Sequence, residues 1–144
     1  MTFAYFDTSA LIKRYVREPG TTRVVSLLRR HDLLSSAITP VEVMSALCRR
    51  KRNGELSEED FAATLTRVQS ERIRWELVEV GGMVLNRAEA IVQGTVPIRA
   101  MDAVHVASLM TFQAAAVIRI PFVTGDGRQR DAATLLGLDV IWIG

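Results

Sequence analysis

The sequence predicts one α/β domain over residues 1–144, with a mostly parallel central sheet of about five strands flanked by helices. Three observations carry that prediction. Short β-prone apolar runs alternate with helical patterns along the whole chain, and no pair of strands is joined by a hairpin signal. The segment from Ile98 to Ala114 is apolar nearly all round, as a helix buried against a sheet would be.

Taken in order, Thr2-Phe3-Ala4-Tyr5-Phe6 is an apolar strand that ends at Asp7. Thr8 to about Arg17 follows as a helix capped by Thr8 or Ser9 and stopped by Glu18-Pro19-Gly20. A second helix runs from Thr21 to Arg30 and a strand from Leu33 to Ile38. Thr39-Pro40-Val41-Glu42 opens a third helix by two rules, proline at the first helical position and capping-box spacing. It ends near Asn53-Gly54. Ser57-Glu58-Glu59-Asp60 starts a fourth helix that reaches about Arg72, and Ile73 to Val80 alternates as a strand. Gly81-Gly82 precedes a helix from Met83 to Gln93, and Gly94 to Pro97 forms a turn. The apolar helix comes next, then a strand from Val117 to Thr124 that contains Pro121 and is therefore bulged or at an edge. Gly125-Asp126-Gly127 turns into a helix from Arg128 to Leu136, and Asp139 to Ile143 is the last strand.

Composition excludes several classes. The apolar fraction of 49% and charged fraction of 24% fit a globular domain, and no apolar run is long enough to span a bilayer. One cysteine, Cys48, forbids an intrachain disulfide and reads as a packed thiol. The opening residues carry no basic segment followed by a cleavage pattern, so a cytoplasmic protein without membrane association is expected. A net charge of +2 is weak evidence for a polyanionic partner. The dense basic run Arg49-Arg50-Lys51-Arg52 is better read by itself as a solvated helix C-terminus, where cations offset the macrodipole, than as a nucleic-acid patch.

Four acids stand outside the charged surfaces. Asp7 ends a buried strand, Glu42 lies in the first turn of the third helix, Asp102 interrupts the apolar helix, and Asp126 follows a strand directly. In a parallel sheet Asp7 and Asp126 share the carboxyl edge, where ligands bind in open α/β folds, and the helix starts bearing Glu42 and Asp102 can face it. The four are expected in one pocket. Two carboxylates about 4 Å apart repel by roughly 4 kcal/mol at an effective dielectric near 20. Either their pKa values rise or a divalent cation neutralises them. All-oxygen ligands suit Mg²⁺ or Mn²⁺ over Zn²⁺, and such a cluster equips a site for phosphodiester hydrolysis. Taken alone, Glu42 is better explained as completing the Thr39 capping box, and Asp126 is equally a helix cap. The joint placement is the stronger signal. His105, one turn after Asp102, reads as a packed residue bonded to a neighbour. Ser9 and Thr124 can orient a carboxylate or serve as cap and turn residues. Arg128 and Arg130 can reach a phosphate or only water.

The motifs Phe6-Asp7-Thr8-Ser9-Ala10-Leu11, Thr39-Pro40-Val41-Glu42-Val43, Arg99-Ala100-Met101-Asp102-Ala103-Val104-His105-Val106-Ala107 and Phe122-Val123-Thr124-Gly125-Asp126 occur in the order found in a known family. Through them the chain resembles the PIN-domain nucleases, and among these the VapC-like ribonuclease toxins of toxin–antitoxin modules. The resemblance implies a Mg²⁺ or Mn²⁺ site made by Asp7, Glu42, Asp102 and Asp126. Asp7 and Asp102 would be the most direct ligands, with Glu42 and Asp126 binding a second ion or orienting the attacking water. It also implies cleavage of single-stranded RNA, a homodimer, and inhibition by a cognate antitoxin. Gly125 and Gly127 depart from the pattern, in which a basic residue often follows the last acid, so Asp126 is the least secure member. Receiver-like and dehalogenase-like readings lack a late lysine and an acid at position 9, respectively. The main alternative keeps the fold and loses the turnover: a PIN-like RNA-binding or scaffold module.

Overall fold

The computed structural model describes residues 1–144. Five strands, β1 (Thr2–Phe6), β2 (His31–Ser36), β3 (Glu76–Val78), β4 (Phe122–Thr124) and β5 (Val140–Trp142), form one sheet in the order β3-β2-β1-β4-β5. Every pairing is parallel. Seven α-helices surround it: α1 (Thr8–Leu11), α2 (Thr21–Arg30), α3 (Thr39–Arg52), α4 (Glu58–Glu71), α5 (Gly82–Gln93), α6 (Ala100–Ala116) and α7 (Gly127–Leu135).

The strands sort their side chains between two cores with the two-residue period of the pleat. Ala4 and Phe6 of β1, Leu33 of β2 and Val123 of β4 pack with Leu11, Val24, Val43 and Leu47 on one face. Tyr5, Leu34 and Phe122 pack on the other with Val84, Ala88 and the middle of α6. Along α6, all seven residues from Ala103 to Leu109 are buried, which explains its nearly uniform apolarity. The strand order reverses direction between β1 and β4, so the carboxyl edge at that point is the topological switch where a crevice opens.

Three elements differ most from the sequence reading. The first helix is a single α turn that tightens into a 3₁₀ turn over Ile12–Arg14 and does not reach Arg17. Ile73 lies in a 3₁₀ turn that extends α4 (Arg72–Arg74) and is 83% exposed; only Glu76–Val78 pairs as a strand, because Ile73 and Trp75 mimic a two-residue alternation. The predicted strand from Val117 begins only at Phe122, since α6 runs on to Ala116 and stops with Val117 in the left-handed region (φ 56°). Pro121 therefore stands before β4, its carbonyl accepting the Tyr5 N–H at 2.8 Å, and β4 is central in the sheet. By contrast α2 spans Thr21–Arg30 as the pattern predicts, and Ser57 caps α4 by accepting the Asp60 N–H at 3.0 Å.

Candidate active site

β1 delivers Asp7 to the switch point, where it caps α1: Oδ1 accepts the Ala10 N–H at 2.9 Å. The same oxygen accepts the Ser9 hydroxyl and Oδ2 the Thr124 hydroxyl, each at 2.6 Å. Asp7 is 3% exposed. Burial pushes its carboxyl up, against the pull of His105 and of these donors. Ser9 and Thr124 thus hold the acid in place, the orienting role the sequence allowed them.

Glu42 stands in the first turn of α3, yet it completes no capping box. Thr39 is itself the first helical residue and is buried, its hydroxyl bonded to Ser35 at 2.6 Å and to the Ser36 N–H at 3.3 Å. Glu42 Oε1 instead accepts the Thr8 hydroxyl and the His105 Nε2–H, both at 2.6 Å. On the other side of the imidazole, Nδ1 meets the Tyr5 hydroxyl at 2.7 Å. Burial works to raise the Glu42 pKa, but the hydrogen bond and charge of His105, with Thr8, outweigh it and hold the carboxyl below its ordinary value. Oε2 has no protein partner.

Asp102 and Asp126 are treated differently. Asp126 caps α7, Oδ1 accepting the Arg128 N–H at 2.8 Å and the Gln129 N–H at 3.4 Å. Asp102 lies in the first turn of α6, and its carbonyl accepts the Gln129 side-chain N–H at 3.2 Å, which ties the starts of α6 and α7 together. Burial raises the Asp102 pKa, and the charges of Asp126 and Asp7 raise it further; His105 and Arg99 oppose them weakly. No cationic side chain pairs with the Asp102 carboxylate.

The four acids therefore lie towards one edge of the sheet, with Glu42 and Asp102 lining different cavities. Glu42 lines a cavity of about 290 Å³ with Thr8, Ser9, Ser45 and Arg49. Asp102 lines another of about 510 Å³ with Arg99 and Arg128. No three His, Cys, Asp or Glu side chains form a closed cage of protein ligands.

Other sequence candidates are placed elsewhere. Arg130 lies over the Trp142 ring at 4.5 Å and pairs with Asp131 at 2.9 Å. In the basic run, Arg50 pairs with Glu18 at a very short distance and Lys51 with Glu58 at 2.7 Å, so only part of it is available to a partner. Cys48 is a free, half-buried thiol. Tyr5 and Gln129 are site-supporting residues that the sequence did not single out, and Thr8, read there as a helix cap, leaves the cap to Asp7 and donates to Glu42. Their partners lie 27 to 100 positions away, and no local spacing announces them.

The PIN domain family model matches residues 4–135. The chain belongs to the PIN-domain family. It is 33% identical over 142 residues to Ribonuclease VapC46 of Mycobacterium tuberculosis, an alignment that spans 98% of each protein. The PIN fold is shared with FitAcB from Neisseria gonorrhoeae (TM-score 0.74, 17% identity, 96% of both chains). It is shared too with a toxin–antitoxin complex from Klebsiella pneumoniae (TM-score 0.63, 14% identity, 98% of both chains). In this PIN domain, no helix is long and apolar enough to cross a membrane.

Proposed function

We propose that this PIN domain is an endoribonuclease that acts as the toxin of a toxin–antitoxin pair and depends on Mg²⁺ or Mn²⁺ held most directly by Asp7 and Asp102, with Glu42 and Asp126 completing the site. The relationship to Ribonuclease VapC46 supports the reaction and the biological setting. The observation that carries the metal is the Asp102 carboxylate, destabilised by burial and by two neighbouring carboxylates with no cationic side chain paired to it. A fold keeps such repulsion where a small hard cation relieves it. A divalent ion held by these carboxylates would supply Lewis acidity, lowering the pKa of water and neutralising charge on the phosphate.

The protein's own groups would do the rest. Ser9, Thr124 and the Ala10 N–H would fix the orientation of the Asp7 carboxyl and offset part of the cost of its burial. His105 and Thr8 occupy Glu42 Oε1, which leaves Oε2 to accept a hydrogen bond from the attacking water and align it. Asp126, anchored as the α7 cap, presents its second oxygen to the same edge. A homodimer and a cognate antitoxin are the proposed partners, and RNA the substrate. Structured RNA incubated with Mn²⁺ should be cut at internal positions, and EDTA should abolish the cutting. Equal cleavage in EDTA would remove the mechanism.

A further inference from the structure

We infer that the cavity beside Asp102 is a subsite for an unstacked nucleobase and its phosphate, which makes the start of α6 and the face of α7 from Arg128 to Leu135 a reader of the nucleotide flanking the cut. The inference rests on the ribonuclease reading for its substrate class, and it adds where the strand lies and how a base is held. The cavity, about 510 Å³, is of a size that takes small organic ligands. Val96, Ile98 and Leu135 supply an apolar wall, and Asp102 and the side chains of Arg99 and Arg128 complete the lining.

Five of the sixteen arginines are held by carboxylates of the protein; Arg99 and Arg128 are among the eleven that are not, and of those they are the two that line this cavity. Arg14, Arg50, Arg67, Arg119 and Arg130 are all committed to carboxylates of the protein. Arg99 and Arg128 form no ion pair, are exposed, and sit beside an acid of the candidate active site. Asp131, the other acid lining the cavity, is occupied by Arg130 at 2.9 Å. Leu135 is 69% exposed, an apolar surface left to water next to two free guanidinium groups. Apolar wall, planar cations and an adjacent carboxylate site together match one occupant: single-stranded RNA, whose bases can be splayed out and stacked on guanidinium planes while its phosphates pair with arginine. The cavity beside Glu42 differs in kind. Three hydroxyls (Thr8, Ser9, Ser45) and Arg49 make it a better match for sugar and phosphate than for a base.

The test separates binding from cutting. A single-stranded RNA decamer carrying 2-aminopurine is titrated in EDTA against the intact protein and against Leu135→Glu and Arg128→Ala, both exposed changes. Binding should weaken about tenfold in each variant. The slope of log K against log salt should fall by about 0.7 in Arg128→Ala, the share of one single-strand phosphate. Sequencing the ends of a random RNA pool cut with Mn²⁺ should show a nucleotide preference next to the cut that both variants flatten. Unchanged affinity, slope and end preference would overturn the subsite, as would variants that alter only the mass of the protein in solution, the mark of a contact between copies. Wild-type protein that binds RNA through these residues but never cuts it would leave the subsite standing and sink the nuclease reading.

Discussion

The two flanks of the acidic edge answer the same electrostatic problem in opposite ways. On one flank Glu42 is paid for internally: His105 and Thr8 both reach Oε1 at 2.6 Å, and its carboxyl is held below the ordinary range. On the other, Asp102 has no cationic partner and is pushed up by burial, Asp126 and Asp7. The contrast teaches that a cluster of acids is not one object. The protein's own donors favour the charged form of Glu42, whereas burial and two neighbouring carboxylates work against the charged form of Asp102.

The most forceful way to break the comparison is Asp102→Asn. Loss of the uncompensated carboxylate should cut RNA cleavage about 10³-fold, the several kcal/mol expected of a metal's charge stabilisation. The same change should raise the melting temperature measured in EDTA, because it removes repulsion. Adding Mg²⁺ should stabilise the natural protein and leave the variant unmoved. Cleavage that survives Asp102→Asn would make the two flanks equivalent.

The compensated flank should respond in the opposite sense. His105→Ala leaves Glu42 half-buried without this hydrogen-bond donor and the Tyr5 hydroxyl, fully buried, without its partner. Urea denaturation should show a loss of about 3 kcal/mol, with or without Mg²⁺.

Titration sharpens the difference further. Asp7 and Asp102 have raised values in the fold, so what they contribute is fully present below the unfolded aspartate pKa and is lost as pH rises through the folded values. Glu42 is lowered, so its contribution is present above the unfolded glutamate pKa and is lost as pH falls through its folded value. Melting in EDTA between acid and neutral pH should therefore show a decline on the rising-pH side that Asp102→Asn reduces, and a decline on the falling-pH side that Glu42→Gln reduces. A profile that neither variant changes would mean that these carboxyls have ordinary pKa values.

The smallest effect belongs to Arg130. Stacked over Trp142 and paired with Asp131, it should cost only about 0.5 kcal/mol when changed to alanine. RNA affinity in Arg130→Ala should be unchanged, in contrast with Arg128→Ala, two positions away.

Much of this architecture was legible because it is periodic or punctuated. The α2 boundaries, the Ser57 cap, the Pro40 helix start and the burial of α6 follow from local rules, and the parallel sheet follows from their alternation. What escaped was tertiary. Thr39-Pro40-Val41-Glu42 has the spacing of a capping box, but Glu42 binds side chains 34 and 63 residues distant, and Thr39 turns inward to Ser35. His105 was readable as a packed, bonded residue, although nothing near it in sequence names Tyr5 or Glu42. At β3, alternation at Ile73 and Trp75 mimicked a longer strand, because a 3₁₀ turn followed by a short strand leaves the same apolar trace.

Asp7 is at once the cap of a one-turn helix and a member of the acidic edge, and Asp126 repeats that double duty at α7. The usual alanine knock-out at either position would thus erase chemistry and unpin a helix together, and a dead protein would say little about which loss mattered. Asparagine caps nearly as well as aspartate while carrying no charge, so it is the substitution that yields an interpretable inactive control.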